Sequence, residues 1–394
     1  MPHRPAVSRA SAAAFVLRRL DGVVAVAARA VVGVLTVIYA GLKLLPTRNK
    51  VVLMSRLYSG TSQDFTRVRA ELRRQDASLE VVVLNHRNTN PARVPFQMLA
   101  EMYHLATSRA CITDSYMAVI SVLTHKKSLV VVQMWHALGA IKRFGLAALD
   151  NAEGRPSGLA GAMRMHQGYD WVIAGGERMI EPFAEAFGVG PSTVLPVGTP
   201  RVDLLVDPAN VERKQQRIAA AHPHLGRKPV VLYAPTFRKG APVQVDEMLD
   251  ALGEDQFDVV VALHPLDRRD FSDRPGVTQD ADFSTLDWLA VADHVITDYS
   301  AIVFDAAVVG VPLYFYAYDL DTYRGRRGLF LDYETEMPGP VATTAKEVVV
   351  AIQESLGSAT SVARFRDEFV APADGGCTRR VVQLALGARP DELS

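Results

Sequence analysis

From residue 50 onward, short apolar runs alternate with longer stretches in which apolar positions recur every three or four residues. Runs at 50–55, 79–85, 110–113, 128–134, 171–174 and 194–197 read as strands, with helices between them, notably at 63–74 and 92–106. Segments such as VVVLN and LVVVQM are apolar at consecutive positions. That pattern suits strands covered by helices on both faces of a parallel sheet. A second series occupies 229–233, 258–263, 277–279, 294–297 and 312–316. Between the two series, residues 198–226 hold turn residues and a polar helix over 211–221, as in a linker. The expected architecture is α/β: two doubly wound, Rossmann-like domains with a cleft between them. Their expected extents are 48–197 and 198–394, preceded by a basic, hydrophobic segment over 1–47. Neither an internal repeat nor a low-complexity tract is read.

That first segment holds the one long apolar stretch, GVVAVAARAVVGVLTVIYAGL at 22–42, interrupted by Arg29. A helix crossing a bilayer wants about twenty apolar residues, so the stretch is borderline. A secretory signal fits poorly, because no small-residue cleavage site comes after the apolar run. A span would place Arg29 at one boundary or bury it at some cost. An in-plane helix would set its arginines among lipid phosphates, and this reading is favoured. Charge agrees with it. Residues 1–50 carry Arg4, Arg9, Arg18, Arg19, Arg29, Lys43, Arg48 and Lys50 against Asp21 alone, which leaves a net charge of −7 on the rest of a formally neutral chain. A globally basic nucleic-acid binder is thereby disfavoured, and an anchor to an anionic membrane surface is favoured. Cys111 and Cys377 lie far apart without metal-ligand spacing, so they read as small buried side chains in a reducing compartment.

Chemistry-bearing residues gather at the carboxyl ends of the apolar strands, where ligands of such sheets bind. His136, Gly139 and Lys142 come after one strand and offer a base, a close backbone approach and a phosphate charge. Arg238 ends another and suits bidentate phosphate contact. His264 emerges from the buried run VVVAL. Asp298 and Ser300 form a strand-to-helix turn, with Ser300 expected as the N-cap of a helix opening near Ala301, a natural phosphate seat. Two Asp-x-Asp tripeptides, at 280–282 and 319–321, are read as chance occurrences and not as a metal site.

The order and wording of these segments resemble the CDP-glycerol glycerophosphotransferase family, the TagB/TagF-like enzymes of teichoic acid synthesis. The resembling stretches are LLPTRNKVVLMSR at 44–56, QMWHALGAIKRFG at 133–145, VGTPRVD at 197–203 and YAPTFR at 233–238. They continue with HP at 264–265, ADHVITDYSAIVFD at 292–305 and YAYDLDTYRGRRGLFLDY at 316–333. The resemblance implies a GT-B-like fold and monotopic association with the cytoplasmic face of the cell membrane. The implied reaction moves a polyol phosphate, with glycerol phosphate the leading choice, from a CDP-polyol to a hydroxyl of a lipid-linked acceptor. CMP is released, in teichoic acid or a related cell-wall or capsule polymer, with no obligatory metal or other cofactor.

Carried over by position, the resemblance makes His136 the general base. It sets Arg238, His264, Asp298 and Ser300 around the CDP pyrophosphate, with His264 also catalytic, and leaves Gly139, Lys142 and Arg327 as acceptor-side or auxiliary groups. Asp319 and Tyr323 fall in a family segment without an assigned role. Two departures stand out. After the histidine the family usually reads Gly-Thr-Pro, against Ala137-Leu138-Gly139 here, and Ala301 replaces a second serine. Changed specificity is read before lost activity. The alternatives are a GT-B glycosyltransferase using a nucleotide sugar and an inactive membrane-bound paralogue.

Overall fold

In the computed structural model the chain is described over residues 9–57, 60–85, 90–238, 243–370 and 373–393, without the side chains of 9–23 and of Pro91. Arg4 lies outside the described residues, as do the side chains of Arg9, Arg18 and Arg19. Two six-stranded sheets, parallel throughout, make the framework. The first contains β1 (Lys50–Ser55), β2 (Glu80–Asn85), β3 (Ala110–Thr113), β4 (Val130–Gln133), β5 (Trp171–Ile173) and β6 (Val194–Leu195), in the order β2-β1-β3-β4-β5-β6. The second contains β7 (Val230–Tyr233), β8 (Asp258–Val261), β9 (Val277–Thr278), β10 (His294–Thr297), β11 (Leu313–Tyr316) and β12 (Val341–Ala342), in the order β12-β11-β10-β7-β8-β9.

The eleven predicted strands are all present, three with the expected bounds and eight trimmed at one or both ends. Pro196 cuts β6 short, since it has no N–H for the ladder. The missed β12 is a two-residue edge strand, too brief to carry a hydrophobic period. Central strands are buried along their length: β1, β3, β7, β8 and β11 expose no residue, as consecutive apolar positions require of a sheet sandwiched between helices. The polar helix begins earlier than expected, at Pro208, because Asp207 caps it through the Ala209 N–H and proline fits the first helical position.

Each sheet reverses its strand order beside a central strand, between β1 and β3 in the first and between β7 and β10 in the second. Loops leaving such neighbours turn to opposite faces and open a crevice at the carboxyl ends. The expected boundary at 197/198 is crossed by the last helix, Cys377–Ala385, which packs Val381, Val382 and Leu384 against Val51 and Leu53 of the first sheet.

Ahead of the sheets runs α1 (Arg9–Leu42). One side docks: Tyr39 is buried and its hydroxyl donates to His125 Nδ1 at 2.7 Å, the other ring nitrogen donating to the Ile120 carbonyl. Its other side presents Val26, Val34 and Val37 outward, Val37 with 74% of its surface exposed. The stretch Val24–Leu42 is long and apolar enough to cross a membrane by length and composition.

Candidate active site

β3 and β4 end side by side, and the loops leaving them are held by backbone geometry. Gln133 accepts the Trp135 N–H at 2.9 Å and donates to the Ser115 carbonyl at 3.1 Å, tying one strand end to the other. Trp135 is thereby kept at φ +58°, a left-handed conformation that costs a non-glycine residue about 1–3 kcal/mol and is retained where the surroundings over-determine it. Its ring stacks on Phe144 at 4.9 Å and lies 4.2 Å from His136, fixing the imidazole from the side.

His136 Nδ1 stands 3.0 Å from the Asp114 carbonyl. A carbonyl only accepts, so Nδ1 carries the proton and Nε2 keeps its lone pair. Burial pushes the ring's pKa down to about 4, so the imidazole is neutral at physiological pH. Gly139, three residues on, is needed for close approach: a Cβ there would sit 2.5 Å from the Phe304 ring on helix Ile302–Val309 of the other sheet.

On that second sheet Arg238 is buried in a clamp. Nε and Nη2 donate to the two oxygens of Asp319 at 2.7 and 2.9 Å, and Nη1 donates to Asp298 at 2.7 Å and to the Thr236 carbonyl at 2.8 Å. Four of its five N–H bonds are spent, so the open fork expected from the sequence is closed by Asp319. Burial works against the charge, but the two carboxylates outweigh it and hold the pKa above its ordinary value. Tyr318, Tyr299 and Tyr323 surround the guanidinium, with centroids at 4.6–5.7 Å. Asp298 is likewise filled: its other oxygen accepts the Thr236 and Tyr299 N–H groups. Asp298 shapes the turn.

The turn differs from expectation by one residue. Ala301, not Ser300, is the N-cap, and the helix starts at Ile302. The Ser300 hydroxyl still accepts from Ile302 N, at a long 3.4 Å. Among the described residues the N–H groups of Ser300 and Ala301 find no protein acceptor, so both remain for a ligand. His264 stacks on Phe237 at 5.5 Å, and its Nδ1 accepts the Leu266 N–H at 3.1 Å. Its mobile proton is therefore on Nε2. Burial, and then the Lys142 charge, lower its pKa.

Lys142 links the two halves. It forms an isolated antiparallel bridge with Leu329, flanked by Arg143 N–H to the Gly328 carbonyl (3.0 Å) and Phe330 N–H to the Ile141 carbonyl (2.7 Å). Arg327 reinforces this seam by donating to the Arg143 and Glu153 carbonyls, with an ion pair to Glu153 at 3.6 Å. It is a clasp between sheets, with Nε and Nη1 engaged by the protein. Burial lowers the Lys142 pKa to about 8; Asp298 opposes the shift, and Arg327 and Arg238 add to it. Its electrostatic influence reaches both His136 and His264.

In each Asp-x-Asp tripeptide one carboxylate is engaged by the protein. Asp319 is taken by Arg238, and Asp280 pairs with His222 at 2.9 Å. No group of three or more His, Cys, Asp or Glu among the described residues is arranged to hold a metal. Sequence reasoning passed over Asp114, Gln133, Trp135 and Arg201. A signal for the first was present: β3 ends Ile112-Thr113-Asp114-Ser115 and β10 ends Ile296-Thr297-Asp298-Tyr299. Both threonines do the same work, Thr113 Oγ1 bonding the Met54 carbonyl at 3.0 Å and Thr297 Oγ1 the Ala234 carbonyl at 2.7 Å, each across a switch point.

Residues 38–387 match the family described as CDP-Glycerol:Poly(glycerophosphate) glycerophosphotransferase. The chain belongs to that family. It is 30% identical over 363 residues to the teichoic acid ribitol-phosphate primase of Bacillus spizizenii (strain ATCC 23059 / NRRL B-14472 / W23), covering 86% of this chain and 92% of the primase. Against the teichoic acid glycerol-phosphate primase of Bacillus subtilis (strain 168) it is 28% identical over 301 residues, 74% and 76% of the two chains. A structure of the wall teichoic acid polymerase TagF superposes with a TM-score of 0.70 at 20% identity, over 86% of this chain and 89% of that one, and shares the two-sheet fold.

Proposed function

We propose that this family member, with its GT-B-like pair of domains, transfers a polyol phosphate from a CDP-polyol to a hydroxyl of a lipid-linked acceptor. His136 Nε2 takes the proton of the attacking hydroxyl while the new O–P bond forms at the phosphorus bearing the polyol. The P–O bond to CMP breaks, and CMP leaves with the bonding electrons. The Lys142 ammonium, the His264 Nε2–H and the N–H groups of Ser300 and Ala301 receive the charge that grows on the phosphates. Arg238 contributes its field and one remaining N–H, and Asp298 and Asp319 hold it in place. No step is assigned to a metal. The observation that carries this reading is the 3.0 Å contact of His136 Nδ1 with the Asp114 carbonyl, which leaves the lone pair on Nε2.

The relatives named for ribitol phosphate and for glycerol phosphate leave both CDP-ribitol and CDP-glycerol as donors. Acceptor-dependent CMP release by the detergent-solubilised full chain, with the two donors side by side on a lipid-linked glycerol-phosphate acceptor, tests the reading. CMP from either donor supports it, and the ratio names the polyol. Silence from both, with a control enzyme working on the same acceptor, refutes it.

The same reading places the protein on the cytoplasmic face of the membrane. Beside the outward valines of α1, Phe96 and Leu99 are exposed on α3 (Val94–Thr107), one of the helices against which α1 packs. At the foot of α1, Lys43 and Lys126 bond the Thr124 and Leu45 carbonyls and bring cations to the level of lipid phosphates.

A further inference from the structure

Behind the site, where the chain crosses between the sheets, Arg201 is buried on helix Pro200–Val206. Nη2 donates to Asp64 Oδ2 at 3.0 Å, and Nη1 stands 3.7 Å from Asp305 Oδ1. Asp64 lies in the first turn of α2 (Gln63–Gln75), which covers the first sheet; Asp305 lies on Ile302–Val309, the helix opened by the Ser300 turn of the second. All three side chains are buried, Asp305 to 3% exposure. One guanidinium therefore joins the two halves of the molecule through two carboxylates. The helix it reaches in the second half is the one whose Phe304 closes on Gly139, three residues from His136.

We propose that Arg201 is a positioning residue, which through Asp64 and Asp305 holds the phosphate turn at Ser300 in register with His136. The inference rests on the phosphotransferase reading of the site. Three features of the cluster support it. Desolvated charges are retained only where geometry compensates them, and a bidentate fork is the group suited to bridging two carboxylates. Two carboxylates share one arginine, and burial raises the Asp305 pKa to about 6, so the bridge is not a simple neutral pair. His136 also feels this cluster directly: Arg201 lowers and Asp64 raises its proton affinity, beside Lys142, which lowers it, and the bond to the Asp114 carbonyl, which raises it. A bridge that sets both distance and field at the base is placed to govern turnover more than donor binding.

The test uses the full chain in detergent, with cysteines introduced as Gln75→Cys and Lys346→Cys. Both sites are exposed, one on each half, and the native Cys111 and Cys377 are buried. Spin labels there report the distance distribution between the halves for the parent, Asp305→Asn and Arg201→Lys. Acceptor-dependent CMP release is measured on the unlabelled counterparts. Asp305→Asn keeps the shape and removes the charge, so it is expected to broaden or shift the distribution. It should lower kcat by about a hundredfold, as a misplacement of about 1 Å does. The donor KM should change by less than about threefold. Arg201→Lys keeps the charge and is expected to fall between Asp305→Asn and the parent. A distribution that superimposes on the parent's, with kcat per folded enzyme within about twofold, overturns the proposal. If Arg201→Lys does not fold, Asp305→Asn decides alone. If the parent releases no CMP from either donor while the control enzyme does, the functional reading fails and the distance distributions still decide the bridge.

Discussion

His136 and His264 carry their protons on opposite ring nitrogens, and the backbone fixes both. The Asp114 carbonyl draws the proton of His136 to Nδ1, while the Leu266 N–H occupies Nδ1 of His264 and sends its proton to Nε2. One imidazole therefore enters the cleft as an acceptor and the other as a donor. Backbone groups alone sort two residues of one type into a base and an electrophilic contact.

This sorting makes their variants separable. His136→Ala removes the acceptor of the hydroxyl proton and is expected to lower kcat by about 10²–10⁴-fold, leaving donor affinity within about threefold. His264→Ala removes a donor to the phosphates and is expected to raise the donor KM as well as lower kcat. Steady-state CMP release together with calorimetric binding of the CDP-polyol distinguishes the two patterns. Undiminished turnover in His136→Ala would remove it from the chemistry.

The pH profile is set by His136 and Lys142. With the His136 pKa pushed down to about 4, the base is already unprotonated across the neutral range and loses its lone pair only in acid. Lys142, lowered to about 8, is charged below that pH and neutral above it. The expected kcat/KM is a plateau that falls above pH 8 by about tenfold per pH unit. Lys142→Arg keeps a cation whose pKa lies above 12, so the alkaline fall should disappear while the acidic limb stays. An alkaline limb unchanged in Lys142→Arg would assign it to another group.

Gly139 and Phe304 define how closely the domains approach. A Cβ at position 139 meets the buried phenyl ring at 2.5 Å, so Gly139→Ala must displace either the ring or the His136 loop. Overpacking of this kind costs about 1–3 kcal/mol. Trimming the ring should restore room: Gly139→Ala combined with Phe304→Leu is expected to be less destabilised than the sum of the two single changes. Denaturant midpoints of the four proteins check it, and strict additivity would mean that the contact is not felt. The proline usual at this place in the family would face the same ring, which links this chain's departure to its own packing.

The legible parts of this protein were those written in local pattern. Consecutive apolar positions in β2 and β4 disclosed parallel strands, although β2 lies at the sheet edge and is only half-buried, and strand ends pointed to His136, Lys142, His264 and the Ser300 turn. The hidden parts depend on partners distant in sequence. Arg238 reads from YAPTFR as an open fork, and only folding brings Asp319, 81 residues on, across it. Ser300 reads as a cap because serine commonly caps, yet the turn spends one more residue before the helix. Asp114 contributes through its carbonyl, a group every residue has, so only the Ile-Thr-Asp ending that β3 shares with β10 pointed to it. Arg201 touches residues 137 positions before it and 104 after it, at Asp64 and Asp305.

Membrane attachment is predicted to depend on the outward face of α1 more than on its length. Tyr39 and Ala25 are buried against the protein, while Val34 and Val37 face away from it and Phe96 adds a ring with 74% of its surface exposed. If that face enters the lipid interface, each buried valine or phenylalanine side chain contributes about 1.5–3 kcal/mol. Val34→Asp combined with Val37→Asp should then release the protein from vesicles containing anionic lipid without disturbing the Tyr39–His125 contact that docks the helix. Deleting residues 1–45 should release it completely. Raising salt separates the two contributions, because the cations near the foot of α1 are screened within a Debye length of about 8 Å at physiological ionic strength, whereas apolar burial is not. Co-sedimentation at low and high salt reads all three. Retention of the double aspartate variant on vesicles would show that the valine face does not meet the lipid.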